Sequence, residues 1–397
     1  MTIYPTARPS LTLDFQKSKQ LDPRVTFSRS SSATYIESGV VKYAQQHKAR
    51  FEEEGLLIEE SRTNLIVQSQ ALDTAPWVPL NGTIASSTEP SPDGTANAWR
   101  FTASASQAFN RYIITNAGSN YTFSAFVKAG NVNWVRLYAF GGYVDFDLQN
   151  LVAGFVRPEI TGYGIDPVAN GWVRCWVSTA ATSVTQIRIY PLVNSNDATT
   201  SPGDYIDLYG AQLEDSSIGK FPTSYIPTAG SASTRASDLC EISGQNFSSW
   251  YNISSGTYLA IGDQNALDAD GYQYEPGESM YSDRYLNLTT QRWRATNWRI
   301  LQGTNGFLGA WVVPPVGAGQ QAKTATAWTT DEASAATLGV SSPNNPAAWP
   351  AAFPKTTALE IGQSNRGSNQ DIWNGHIAQI YYYPERLTDT QLETLTL

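Results

Sequence analysis

The feature that most limits how this chain can fold is a train of short segments in which apolar and polar residues alternate. Trp134-Val-Arg-Leu-Tyr-Ala-Phe, Tyr143-Val-Asp-Phe-Asp-Leu, Trp172-Val-Arg-Cys-Trp-Val, Gln186-Ile-Arg-Ile-Tyr and Tyr205-Ile-Asp-Leu-Tyr all show it. A repeat of two puts one residue class on each face of an extended strand. Turn dipeptides such as Gly141-Gly142 and Asn170-Gly171 separate the runs, so neighbouring strands should pair antiparallel. Aromatic residues make up 12% of the 397 residues, and β-branched and aromatic side chains suit half-buried pleated surfaces. The expected fold class is all-β, with two antiparallel β-sandwich domains, the first of jelly-roll type, preceded by an extended N-terminal arm.

Composition shifts divide the chain. Residues 1–63 hold a cluster of charge (Glu52, Glu53, Glu54, Glu59, Glu60, Arg62) and thin apolar content. This arm is too poor in apolar residues for a core of its own, so it should pack on a neighbouring domain or subunit. Residues 64–229 form the jelly-roll candidate. The small polar run Thr228-Ala-Gly-Ser-Ala-Ser-Thr-Arg marks a boundary of the kind that separates domains. Residues 230–397 supply further strand candidates at 256–261, 292–301, 306–313, 321–328, 335–340, 358–361 and 376–383. Near the end, Thr388 and Gln391 fit a capping box, with Leu392 and Leu395 on one face; a short helix lying against the last strand is expected.

The net charge is −9 and no basic stripe is visible, which excludes a nucleic-acid partner of the usual kind. The apolar runs are too short to span a bilayer, so no membrane partner is expected, and residues 1–10 lack the layout of a secretory signal. Cys175 and Cys240 are too few for a disulfide framework or a zinc site and read as buried free thiols.

Three stretches together resemble a module found in bacteriophage structural proteins. They are Phe27-Ser-Arg-Ser-Ser-Ser-Ala-Thr-Tyr with Ala49-Arg-Phe, and Gly55-Leu-Leu-Ile-Glu-Glu-Ser-Arg-Thr-Asn-Leu-Ile. The middle segment resembles carbohydrate-binding jelly rolls in Tyr121–Lys128, Gly171-Trp-Val-Arg, Tyr209-Gly-Ala-Gln-Leu-Glu and Tyr225-Ile-Pro-Thr. The last resembles concanavalin A-like, laminin G-like sandwiches in Leu359-Glu-Ile-Gly and Asn374-Gly-His-Ile-Ala-Gln-Ile-Tyr-Tyr-Tyr-Pro-Glu-Arg-Leu-Thr. The resemblance implies a non-enzymatic virion protein, a capsid decoration, tail fibre or adhesin. It would form a homo-oligomer in the particle, contact other virion proteins, and take host-surface polysaccharide as a candidate partner. It implies no catalytic residues. The competing reading is a β-sandwich enzyme that degrades polysaccharide, a glycoside hydrolase or lyase. A third is a lectin module whose main task is sugar binding.

Glycosidases need two carboxylates facing one groove. Asp145 and Asp147, two apart, share a strand face, whereas Asp204 and Asp207, three apart, do not. Solvent-facing or turn-capping roles compete with catalysis for both pairs. His376 opens an apolar strand and reads as a partly buried turn histidine, with a metal or triad role as the alternative. Asp268-Ala-Asp270-Gly resembles the start of a calcium loop without its later Glu; Asp268 and Asp270 are the candidate metal ligands, for structural calcium, and an ordinary acidic turn is the competing reading. Aromatic rings carry the strongest chemical hint, because sugars stack on them. The candidate platforms are Trp134 and Tyr138, on one face of a strand, and Tyr272, Tyr274, Tyr281 and Trp293. Core packing competes for all of them, and is the favoured reading for Trp172 and Trp176. With only 15% charged residues, an uncharged saccharide bound with little salt dependence is expected.

Overall fold

The computed structural model describes residues 7–114, 120–180, 186–215, 221–263, 279–283, 290–294, 297–300, 310–311, 320–329, 332–341, 357–366 and 369–397; at 279–283, 290–294, 297–300, 310–311, 333, 364–366 and 369–371 only the backbone is described. The chain is all-β, in antiparallel β-sandwiches. It divides into two units, each assembled from separated stretches of sequence. The described part of the first unit runs up to Ser30, then Gln45–Glu60, then from Ala236 onward; the second holds Ser31–Ala44 and Ser61–Arg235.

The first unit stacks two sheets. One runs in the order Val340–Ser341, Ala333–Thr337, Ala322–Trp328, Gly256–Gly262, Gly375–Tyr383, Gly55–Ile58, Arg50–Glu52, with Leu11–Asp14 also paired to Gly375–Tyr383. The other runs Thr26–Ser28, Leu239–Ser243, Ala358–Ile361, Ser279–Asp283, Thr290–Arg294, Asn297–Ile300, Ala310–Trp311. Alternation decides what faces inward. Ile380 and Tyr382 enter the core with Leu11, Leu13, Leu56, Ile58, Tyr258 and Trp328, while Tyr381 and Tyr383 face outward onto a second cluster with Leu259, Leu387 and Leu392. Residues 1–63 are thus not one body. Their thin apolar content suffices because each short strand lends only one or two side chains to a core completed by 236–397, each worth about 1.5–3 kcal/mol when buried. The hairpin Ala33–Glu37/Val40–Ala44 goes to the other unit. The helix Asp389–Thr396 carries the expected capping box, Thr388 with Gln391, and packs chiefly over Ala322–Trp328 and Ala333–Thr337 rather than on the last strand.

Arg29, Arg50 and Glu59 meet inside this unit. Arg50 Nη1 donates to Glu59 (2.7 Å) and Nη2 to Asp238 (2.5 Å), whose other oxygen accepts from Arg29 (3.1 Å). All four are fully buried, and two cations balance two anions. Burial acts to lower the Arg50 pKa, but Asp238 and Glu59 outweigh it and hold the guanidinium charged. The Phe27-Ser-Arg and Ala49-Arg-Phe motifs, with the Glu of Leu-Leu-Ile-Glu, therefore build an internal charge network around Asp238.

The second unit is a sandwich of two six-stranded sheets. One runs Ile160–Pro167, Trp172–Ala180, Asn120–Ala129, Tyr205–Asp215, Trp99–Ala103, Gly82–Ser86. The other runs Val152–Val156, Gly142–Asp147, Trp134–Ala139, Gln186–Leu192, Phe109–Ile113, Trp77–Leu80. Between them lie Val173, Cys175 and Val177 from one side and Val135, Leu137, Val144, Phe146, Ile187 and Ile189 from the other. Trp172 is buried, but not in this core. It stands on the outer face of the first sheet with Phe126, Tyr209 and Tyr225, and the hairpin residue Val41 packs over them; its indole N–H donates to the Pro90 carbonyl (2.8 Å). Trp176 is half-buried on the same outer face, against Gly164, which corrects its expected place in the core. Both thiols are free and buried, as expected. No helix among the described residues is long and apolar enough to cross a membrane.

Candidate functional site

The outer face of the first sheet is covered by the unit's own hairpin; that of the second carries the candidate site. Cross-strand register arranges its outward side chains in rows. Val78 pairs with Arg111, Arg111 with Arg188, Arg188 with Tyr138, and Tyr138 with Tyr143. With strands about 4.8 Å apart, this row of five is roughly 19 Å long. Arg111, Arg188, Tyr138 and Tyr143 are half-exposed and Val78 is exposed.

The adjacent row, Phe109, Tyr190, Arg136 and Asp145, is buried. Ala198 packs onto it, and the Asn196 N–H donates to Asp145 (2.6 Å). Arg136 grips Asp145 with both arms, Nε at 2.6 Å and Nη2 at 2.9 Å, and its guanidinium carbon lies 3.8 Å from the centre of the Tyr143 ring. Burial would lower the Arg136 pKa; the bonds to Asp145 more than offset that and raise it. The Phe155 ring centre lies 5.6 Å from that of Tyr143, and the Arg157 guanidinium carbon lies 5.2 Å from the Tyr143 ring centre.

Arg188 is held differently. Its guanidinium sits 4.7 Å from the Phe109 ring centre and 4.8 Å from that of Tyr138, and Nη1 donates to the Tyr190 hydroxyl (2.7 Å). Rings on two sides and one hydrogen bond fix the side chain in place. Trp134 and Tyr138 do stand on one face, as their spacing requires, but they are not equivalent. Both pack against the Phe109–Tyr190–Leu192 cluster, but Trp134 also abuts Gly154, where no side chain would fit between the indole and Ser195. Tyr138 lies in the more accessible row and is the better platform.

Asp145 and Asp147 share the face, yet neither is placed for acid–base work. Asp145 is engaged by Arg136 and Asn196. Asp147 accepts from the Gln149 and Asn150 N–H groups (2.9 and 3.0 Å) and from the Asn150 amide (2.8 Å). Burial would raise its pKa, and these donors reverse that and lower it. Asp207 binds Arg100 (2.9 and 3.0 Å) and Asp204 caps a turn at Ser201. Asp268, Asp270, Tyr272 and Tyr274 lie outside the described residues. Tyr281 and Trp293 fall on the strands Ser279–Asp283 and Thr290–Arg294, where side chains are not described.

A second constellation lies in the first unit. His376 is buried, which corrects the expected turn position. Its Nδ1 is 2.8 Å from Asp263 and its Nε2 is 3.0 Å from Glu52. Burial alone would lower the imidazole pKa; the hydrogen bonds to Asp263 and Glu52 win and raise it from 6.5 to about 10. Glu52, Glu54 and His376 each place a ligand atom within 4.8 Å of the others. The two carboxylates pair with the ring nitrogens and favour the protonated imidazole, an ion-pair clamp; a metal taken by Glu52, Glu54 and His376 would have to displace that proton. Sequence reasoning missed this clamp and the arginines of the row. The alternating Arg136 and Arg188 were visible signals; their partners were not.

No protein-family model and no curated protein sequence matches the chain. Among solved structures, domain 4 of AbnA, a GH43 extracellular arabinanase from Geobacillus stearothermophilus solved with arabinotriose, is 12% identical and covers 45% of this chain and 84% of its own, at a TM-score of 0.29. Trypanosoma rangeli sialidase is 10% identical over 92% of this chain and 76% of its own, at 0.30. The CBM22-1–CBM22-2 tandem of Paenibacillus barcinonensis Xyn10C is 9% identical over 84% and 99%, at 0.25. These neighbours are glycoside hydrolases and glycan-binding modules, not virion proteins. The expected phage structural protein finds no counterpart among these neighbours, and glycosidases stand among them where no enzyme was expected.

Proposed function

We propose that this is a glycan-active protein and that its second unit recognises saccharide along the row Arg111–Arg188–Tyr138–Tyr143. One observation carries the reading: the hairpin packs over the aromatic patch on one outer sheet face, whereas the row of rings and guanidinium groups on the other stays half-exposed. Pyranose and furanose rings present C–H faces that stack on such aromatics, while fixed polar groups bond the hydroxyls. The strip, roughly 19 Å long, accommodates an oligosaccharide rather than a single sugar. Arg136 and Asp145 support Tyr143 from below, so the platform is in place before ligand arrives, which lowers the ordering cost of binding.

The test is affinity electrophoresis of the full chain through gels carrying neutral or acidic polysaccharides, with the released reducing ends measured on the same samples. Retardation by at least one polysaccharide, weakened about tenfold or more by Tyr138→Ala without a change in thermal midpoint, supports the site. Reducing ends released by the same protein would add cleavage to recognition. No retardation in any gel sinks the reading.

A further inference from the structure

We infer that the saccharide taken by this strip is anionic, carrying carboxylate or sulfate, and that Arg111 and Arg188 are the residues that select it. The inference rests on the glycan reading and deepens it.

Arg111 and Arg188 stand directly opposite each other on paired strands. Like charges in that arrangement repel, so a fold gains nothing from it unless something else neutralises them. Inside the unit nothing does. Arg136, one row away, is matched by Asp145, and Arg100 by Asp207, but neither Arg111 nor Arg188 has an ion pair among the described residues. The unit's remaining segments, 115–119, 181–185 and 216–220, contain no Asp or Glu, so they hold no hidden counter-ion. The Nε atoms of both arginines are buried without a hydrogen-bond partner.

The geometry also selects the chemistry. Arg188 is clamped between the Phe109 and Tyr138 rings with Nη1 tied to Tyr190. Held in that way, the guanidinium keeps its remaining Nη hydrogens for an oxygen of a carboxylate or sulfate. The Tyr138 ring beside it suits the sugar that carries the group. On a chain of net charge −9, a pair of uncompensated cations in a row of rings is a local reversal of sign.

The experiment measures binding of the full chain to polygalacturonate, chondroitin sulfate and neutral xylan at about 0.05 M and about 0.5 M NaCl, a change that shortens the screening length roughly threefold. The expected result is binding to one or both acidic polymers, falling about tenfold or more at high salt, with little binding to xylan. Polygalacturonate and chondroitin sulfate tell the carboxylate source from one that also uses sulfate. Arg188→Gln and, separately, Arg111→Gln should each lose about tenfold or more in affinity. Arg111→Gln should not lower the thermal midpoint, because it removes a like-charge contact, so its loss of binding cannot be ascribed to misfolding. Equal binding to xylan and the acidic polymers, unchanged by either variant, overturns the anionic inference while leaving the glycan reading standing. Binding to none of the three, with no retardation in the wider gel series, removes both.

Discussion

His376 should make the stability of the first unit depend on pH in a direction opposite to that of a carboxylate whose pKa the fold lowers. The fold raises its pKa from 6.5 to about 10 by pairing it with Asp263 and Glu52. A group bound more tightly to its proton in the fold than in the unfolded chain stabilises the fold fully below the unfolded value. That contribution declines as pH rises from 6.5 and is lost through about 10. At about 1.4 kcal/mol per pH unit, the interval caps the effect at roughly 5 kcal/mol. Tyrosines and lysines also titrate at the top of this range, so the informative quantity is a difference. Urea denaturation of the wild type and of His376→Gln should be compared from pH 5 to 10.5. The gap between them should be widest below pH 6.5 and close towards pH 10. A second readout is direct: the chain has two histidines, and the ring C–H resonances of His376 should not shift between pH 5 and 8. A gap that stays constant over the whole range, or a His376 midpoint near neutrality, would refute the clamp.

Two further outcomes follow from the interior. Asp238→Ala leaves two buried guanidinium groups sharing one carboxylate, and should cost about 3–5 kcal/mol in chemical denaturation; a loss under 1 kcal/mol would mean that the network relaxes or admits water. Burial pushes the Cys175 and Cys240 thiols well above their ordinary range, so neither should react with a thiol reagent at pH 8 in native protein, and both should react at once in denaturant. Rapid native labelling of either would contradict the packing.

The alternation in Trp134–Ala139 and Gly142–Asp147 was enough to place Trp134 with Tyr138, and Asp145 with Asp147, on shared faces, because a strand's own period fixes that relation. It could not say which face of a sheet lies open. Trp172 and Tyr138 sit in equally plain alternating runs, yet the hairpin Ala33–Ala44, more than a hundred residues upstream, covers one and not the other. Partnership across strands was equally hidden. Arg136 meets Asp145 through the register of one hairpin, whereas Arg188 meets Arg111 through the pairing of segments far apart in sequence. The low overall share of charge suggested an uncharged ligand, because composition does not show where single arginines stand. His376 read as a turn residue because its partners, Glu52 and Asp263, are distant in sequence by more than three hundred and more than one hundred positions.

The interleaving of the two units also has a consequence for how the protein emerges from a ribosome. The second unit has all its strands once Arg235 has been made. The first does not: Leu11–Asp14 and Gly55–Ile58 both pair with Gly375–Tyr383, which is synthesised some three hundred residues later. At roughly 5–20 residues per second, those early strands wait for tens of seconds with unpaired edges. During that interval the nascent chain carries one finished sandwich between loose ends that are competent to pair with any passing strand. Shielding during translation would therefore matter for the first unit far more than for the second.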